Sequence, residues 1–276
     1  MTDKTMASQS EANDAAFIKI EGDVSSGLLI VCDHARNHMP QDYGNLGLPS
    51  SAFERHIAYD IGVEAVVRRM CKALNCPAVL SNFSRLLIDP NRGADDPTLI
   101  MRLSDGQIVP GNHPITPAEK RSRIERFHAP YHDAIAKQIE AFETAGITPA
   151  LFSVHSFTPV WKGAHRPWQV AMLRDVDTGF HSHMVAALRK NADLTVGDNE
   201  PYDGALAGDC MHTHGLRRGL QHALVELRQD LIADEAGQSH WAQMLAKPVR
   251  DFTVKPENRT KQFVASRTGP YMRIES

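Results

Sequence analysis

Gly27-Leu28-Leu29-Ile30-Val31-Cys32-Asp33-His34-Ala35-Arg36-Asn37 decides how the rest of the chain is read. Gly27 to Cys32 is an unbroken apolar run, the pattern of a strand covered on both faces in a parallel sheet. The run stops abruptly at Asp33. In open α/β sheets ligands bind outside the carboxyl ends of the strands, so Asp33, His34 and Asn37 stand where chemistry is expected.

The same pattern recurs in Ala150-Leu151-Phe152-Ser153-Val154, followed by His155 and Ser156. Further strands are predicted at 78–80, 86–88, 168–173 and 223–227, with a short edge strand at 17–21. Helical spacing of Phe53, Ile57, Ile61, Ala65, Val66 and Met70 predicts a helix over 51–74, with Ser51 and Glu54 as a capping box. A second helix over 116–144 ends at Gly146 and should kink at Pro130, and a third covers 178–190. Strands alternating with helices predict one α/β domain built on an open sheet with right-handed crossovers. Residues 89–117, rich in Pro, Gly, Asp and Asn, read as a long functional loop.

Composition narrows the function. The 276 residues, 42% of them hydrophobic, can bury a large core. A net charge of -3 with mixed signs gives no field for nucleic acid or anionic membranes, so a small soluble substrate is expected. The polar first residues lack the pattern of a secretory signal, and no run approaches the roughly 18 apolar residues of a membrane span, so a cytoplasmic location is expected. Cys32, Cys71, Cys76 and Cys210 are too few and too scattered for a disulfide framework and read as buried thiols. The expected organisation is a disordered leader over 1–15, a domain over 16–246, and a Pro-interrupted, basic extension over 247–276 packed on it. Oligomeric state is left open, a homo-oligomer included.

Taken singly, a strand-end histidine is ordinarily a hydrogen-bonded loop residue. Two at one end of a sheet, His34 and His155, can meet at a zinc ion, which takes imidazole nitrogens and a carboxylate and leaves a position for water in catalytic sites. The third ligand stays open between Asn37, Asp60 and Asp33. Asn37 is a neutral amide where many zinc hydrolases have Glu in His-x-x-Glu, and Asp60 lies one turn after His56 on the predicted helix. Glu226, an acid inside the apolar run Ala223-Leu224-Val225-Glu226-Leu227, either pairs with an arginine such as Arg228 or serves as a general base. Arg85 and Arg92 flank one apolar triplet and offer planar forks for substrate carboxylates. His128 and His132 have metal-pair spacing but lack the acid of His-Glu-x-x-His, so Tyr131 and His132 are read as site-lining hydrogen-bonders. Residues 197–204, with Glu200 and Tyr202, could form a substrate loop, and His212 and His214 are weaker candidates. No dinucleotide, phosphate-loop or serine-nucleophile motif occurs.

These segments together resemble the N-formylglutamate amidohydrolase family, in the variant whose first motif reads Asp-His-Ala-Ser-Asn. The resemblance rests on Cys32-Asp33-His34-Ala35-Arg36-Asn37 with Pro40, Tyr59-Asp60-Ile61-Gly62, Ser84-Arg85-Leu86-Leu87-Ile88-Asp89-Pro90-Asn91-Arg92, Pro130-Tyr131-His132, Val154-His155-Ser156-Phe157-Thr158-Pro159, Asp198-Asn199-Glu200-Pro201-Tyr202, and His214-Gly215 before Val225-Glu226-Leu227-Arg228. It implies a phosphorylase/hydrolase-like fold, a single-domain three-layer α/β sandwich with a mostly parallel mixed sheet, related to zinc carboxypeptidases. It also implies hydrolysis of an N-acyl, N-formyl above all, bond on an acidic amino acid. On that resemblance His34 and His155 would hold Zn²⁺ or another divalent ion with Asn37 or Asp60, and Glu226 would move the proton. Arg85, Arg92, Asn91, Tyr131, His132, Ser156, Glu200 and Tyr202 would meet the substrate. Two departures stand out: Arg36 where the variant has Ser, and Asn37 where wider relatives have a Glu ligand. The alternatives are a different N-acyl amino acid or small peptide as substrate, a binding protein that has lost its metal, and a phosphate-ester hydrolase using Asp33 and Asp89.

Overall fold

The computed structural model describes residues 15–274, so the expected leader lies outside the described residues except for residue 15. The strands are β1 (Phe17–Ile20), β2 (Leu28–Cys32), β3 (Ala78–Ser81), β4 (Leu103–Ser104), β5 (Gln107–Ile108), β6 (Ala150–Phe157), β7 (Val160–Trp161), β8 (Ala164–His165), β9 (Val170–Leu173), β10 (Val196–Asp198) and β11 (His222–Arg228). Seven of them form a sheet in the order β1-β3-β2-β6-β11-β9-β10. β3, β2, β6 and β11 run parallel, β1 pairs antiparallel with β3, and β9 pairs antiparallel with β11 and parallel with β10. The sheet is mixed and mostly parallel, as expected. β4 with β5 and β7 with β8 are two small hairpins apart from it.

The α-helices among the described residues are α1 (Val63–Leu74), α2 (Pro117–Arg123), α3 (Ala129–Thr144), α4 (Phe180–Leu188) and α5 (Glu235–Thr253). Alternation along the strands separates two cores. Leu28 and Ile30 of β2, Phe152 and Val154 of β6 and Val225 of β11 pack with Met70 of α1, Phe180 of α4 and Leu245 and Phe252 of α5. Leu29, Val31, Leu151 and Leu224 pack with Tyr131, Ile135, Ile139 and Phe142 of α3. Helices therefore cover both faces, giving three layers, and each fully buried Leu, Ile or Phe contributes roughly 1.5–3 kcal/mol. No helix among the described residues is long and apolar enough to cross a membrane.

Several elements differ from expectation for physical reasons. The helix predicted over 51–74 is two pieces, a 3-10 segment Ser50–Glu54 and α1, with an irregular stretch between them. Gly62 caps α1 at φ 85°, where a Cβ would sit 2.3 Å from the Ile232 carbonyl oxygen; the helix can only begin after it. Pro49, not Ser51, precedes the first piece, and no side chain caps it, so the capping box does not form. The triplet Leu86-Leu87-Ile88 is fully buried yet joins no sheet: the Leu87 N–H donates to the Ser84 carbonyl and the Asp89 N–H to that of Leu99, which satisfies the backbone without a ladder. Pro130 ends no helix because a wide π turn, Ile124–His128, precedes α3 and places the proline in the first turn, where no N–H is needed. The boundary expected at Lys247 falls inside α5, which runs through Pro248 because Leu245, Val249 and Phe252 keep its apolar stripe continuous. Residues 254–274, after that helix, are exposed or half-buried.

Candidate active site

β2, β6 and β11 deliver the central residues. Asp33 and His34 follow the last residue of β2, His155 lies near the carboxyl end of β6, and the β6–β11 register sets Glu226 opposite His155. Asp60 comes from the turn before α1, whose Asp60 N–H donates to the His34 carbonyl at 2.9 Å. Asp33, His34, Asp60, Asp89, His155 and Glu226 are all buried.

The two imidazoles converge on one oxygen. Asp60 Oδ2 lies 2.9 Å from His155 Nδ1 and 3.4 Å from His34 Nδ1. Each outer nitrogen meets a further carboxylate: His34 Nε2 is 2.7 Å from Asp89 Oδ1, and His155 Nε2 is 2.9 Å from Asp33 Oδ2. Those carboxylates are themselves held. Asp33 accepts hydrogen bonds from the Tyr131 hydroxyl at 2.8 Å and the Ser153 hydroxyl at 3.1 Å. Asp89 accepts from the Asn91 N–H at 2.9 Å and from Arg85 at 2.7 Å.

This geometry fits a divalent cation. One donor atom from each of His34, Asp60 and His155 lies within 4.8 Å of the others. With the outer Nε2 protons given to Asp89 and Asp33, the inner Nδ1 lone pairs are free to ligate, the arrangement by which second carboxylates orient metal-binding histidines. The charges agree. Burial by itself would raise Asp33, Asp60 and Asp89, but the neighbouring histidines, and Arg85 beside Asp89, hold all three well below the usual carboxylate range. Burial lowers His155, yet Asp33 and Asp60 overcome it and push that imidazole well above its ordinary value. Three buried carboxylates against one arginine demand positive charge: a proton on His155 Nδ1 meets it in part, and a cation at the Nδ1 atoms would displace that proton and supply the charge instead.

A cavity of about 600 Å³ opens over the cluster, lined by His34, Asp60, Arg85, Asn91, Arg92, His155, Ser156, Tyr202 and Glu226. Glu226 Oε2 is buried without a hydrogen-bond partner among the described residues. Burial, reinforced by Asp60 and opposed by His155, pushes this carboxyl up to about 7. Arg228 instead bonds Asp230, so the structural pairing considered for Glu226 does not form. Arg85 reaches the cavity, but its guanidinium is committed to Asp89 and stands 3.7 Å from Asp60.

Other expected site residues lie elsewhere. Asn37 donates its amide to the Phe53 carbonyl at 2.7 Å and does not line the cavity. Of the three residues considered as third ligand, Asp60 is the one grouped with both histidines. Tyr131 and His132 sit behind the first layer, against Asp33 and the Pro90 carbonyl, and not on the cavity wall. Glu200 is exposed and outside the lining, although Tyr202 belongs to it. His56, one turn before Asp60 in the sequence, faces Asp105 at 3.5 Å. Sequence reading passed over Asp89 as a histidine partner, although its place directly after a buried triplet was the available signal. His56, Asp105, Trp161 and Asp209 also line the cavity and carried no such signal.

The N-formylglutamate amidohydrolase family model matches residues 26–233. No curated protein matches the chain. Among solved structures, the gene product Atu2144 from Agrobacterium tumefaciens is similar at 33% identity and a TM-score of 0.81, covering 87% of this chain and 96% of that one. An N-formylglutamate amidohydrolase from Ralstonia eutropha JMP134 shares the fold at 20% identity and a TM-score of 0.59, covering 86% of this chain and 97% of that one.

Proposed function

Since this chain belongs to the N-formylglutamate amidohydrolase family, we propose that it hydrolyses the N-acyl bond of an acidic amino acid, N-formylglutamate foremost, giving formate and glutamate. The observation that carries this reading is the convergence of His34 Nδ1 and His155 Nδ1 on Asp60, with Glu226 in register beside His155.

His34, Asp60 and His155 would hold a divalent cation, zinc by its ligand preference. Bound there, the ion supplies Lewis-acid chemistry, polarising an acyl carbonyl and making water more acidic. Glu226, unpartnered and titrating near neutrality, takes a proton from the attacking water and delivers it to the departing nitrogen as the C–N bond breaks. Arg92 lines the cavity, its guanidinium steadied by the Thr98 hydroxyl and the Asn91 carbonyl, and would offer its remaining N–H groups to a substrate carboxylate, with Asn91 beside it. Arg85, tied to Asp89 and near Asp60, keeps positive charge where negative charge develops on the acyl oxygen.

Two earlier alternatives lose support. Phosphate-ester chemistry on Asp33 and Asp89 would need carboxylates free for the task, and both are engaged with histidines. Loss of metal through Asn37 is the weaker reading, because Asp60 offers a carboxylate beside both histidines. The test is to assay N-formyl, N-acetyl and N-succinyl amino acids with purified protein, before and after chelation. Hydrolysis of N-formylglutamate that chelator abolishes and zinc restores is expected; no turnover of any N-acyl amino acid with zinc bound would refute the proposal.

A further inference from the structure

Behind the loop that carries Asp89 stand three histidines with no part in the chemistry above. His132 Nε2 lies 2.9 Å from the Pro90 carbonyl, and His128 Nε2 lies 2.9 Å from the Arg92 carbonyl. A carbonyl only accepts, so both Nε2 atoms carry protons. On a neutral His132, Nδ1 is then a lone pair, and the His214 Nε2 facing it at 2.8 Å must be the donor. That leaves His214 Nδ1 as a bare lone pair, consistent with its burial without a partner. The opposite assignment needs a charged His132 and a buried, unpartnered N–H on His214, and both are costly.

The three rings form a row, His128 tilted by 43° against His132 and His132 meeting His214 edge to edge. His128 and His132 are 4.4 Å apart between centroids, and His132 and His214 are 5.1 Å apart and within 19° of parallel. His214 lies in the turn Met211–Gly215, shortly before β11, so the row spans from that turn through α3 to the loop. The loop is also gripped between its two carbonyl contacts, where the Cys210 N–H donates to Asn91 Oδ1 at 3.1 Å. Residues 90, 91 and 92 are thus each held by a residue that does not line the cavity. Their neighbour Asp89 meets His34, and Asn91 and Arg92 face the cavity.

We propose that His132 and His214, assisted by His128, are positioning residues: an imidazole pair of fixed tautomer that holds residues 89–92 so that Asp89 orients His34 and Arg92 faces the substrate. The kinetic and metal consequences rest on the function proposed above; the tautomers do not. Two variants separate the roles, because His132→Gln can still donate to the Pro90 carbonyl and His132→Leu cannot. Zinc affinity, read by competition with a chelating dye, should fall on the order of tenfold or more in His132→Leu, with a matching loss in kcat/KM, and return largely in His132→Gln. Long-range 1H–15N correlation on the labelled wild-type protein should find His132 and His214 neutral, each with its proton on Nε2, whether or not the leucine variant folds. A proton on Nδ1 of His132, or a His132→Leu protein with wild-type zinc affinity and turnover, overturns the proposal. A wild-type protein that neither binds zinc nor hydrolyses any N-acyl amino acid refutes the function instead, and the tautomers then decide the positioning role.

Discussion

Glu226 pairs in register with His155 across two parallel strands, one presenting a candidate ligand and the other an unpartnered buried acid to the same cavity. Strand pairing fixes this relationship, so it does not depend on a mobile loop. Glu226→Gln should therefore lower kcat by roughly 10²- to 10⁴-fold, the usual value of a positioned proton carrier, with little change in zinc content or melting temperature. Near-normal turnover in that variant, measured at saturating substrate, would remove Glu226 from the mechanism.

Asp33 touches no part of the cavity, yet it should matter to the metal. Its carboxylate holds the His155 Nε2 proton and thereby frees Nδ1. Asp33→Asn is expected to weaken zinc binding about 10- to 100-fold, as partners of ligating histidines generally do. Equilibrium dialysis against a zinc buffer would show it; unchanged affinity would mean that His155 is oriented by the strand alone.

Asn37 is expected to behave as a structural residue. Replacing it with alanine removes the hydrogen bond to the Phe53 carbonyl and should cost about 1 kcal/mol of stability, leaving zinc stoichiometry unchanged. Urea unfolding and metal analysis on the same preparation test both halves, and loss of zinc would restore Asn37 as a ligand.

This contrast marks how far the sequence could be read. The apolar runs ending at Cys32 and Val154 located His34 and His155 because strand periodicity and the position of ligands in open sheets are both visible in one dimension. The acid at Glu226 was legible for the same reason. Asp60 was misplaced onto a helix because Phe53, Ile57 and Ile61 keep helical spacing through a stretch that the Gly62 contact with Ile232 interrupts, and that contact joins residues far apart in the chain. Tyr131 and His132 belong to a motif that reveals proximity to the site without saying from which side, and they stand behind Asp33 and Pro90 instead of on the cavity wall.

Acid should work against the fold at His128, His132 and His214. Burial, with the neighbouring His128, lowers His132 to about 4, and burial holds His214 well below its ordinary value, His132 and Arg218 adding to the effect and Asp33 opposing it. His128 is lowered in the same way, against the pull of Asp89. In the unfolded chain these groups titrate near 6.5, so between about 4 and 6.5 the unfolded state binds more protons than the folded one. Their contribution is then complete above about pH 6.5 and is lost as the pH falls. Glu226, Asp209 and His155, all raised, act in the opposite direction over the same range, so the histidines' share is read by difference: relative to wild type, the urea midpoint of His132→Gln should rise from pH 7.5 to pH 5, and an equal or steeper loss in the variant would contradict the assignment.

The central claim is that His34, His155 and Asp60 hold the metal through the Nδ1 atoms and the shared carboxylate. Anomalous diffraction at the zinc absorption edge, from crystals of the zinc-loaded protein, tests it most directly. The account predicts one strong peak bonded to Nδ1 of His34, Nδ1 of His155 and a carboxylate oxygen of Asp60, with Asn37 uninvolved. A peak bonded through Nε2 of either histidine, a peak coordinated by Asn37, or zinc bound only elsewhere on the chain would contradict it.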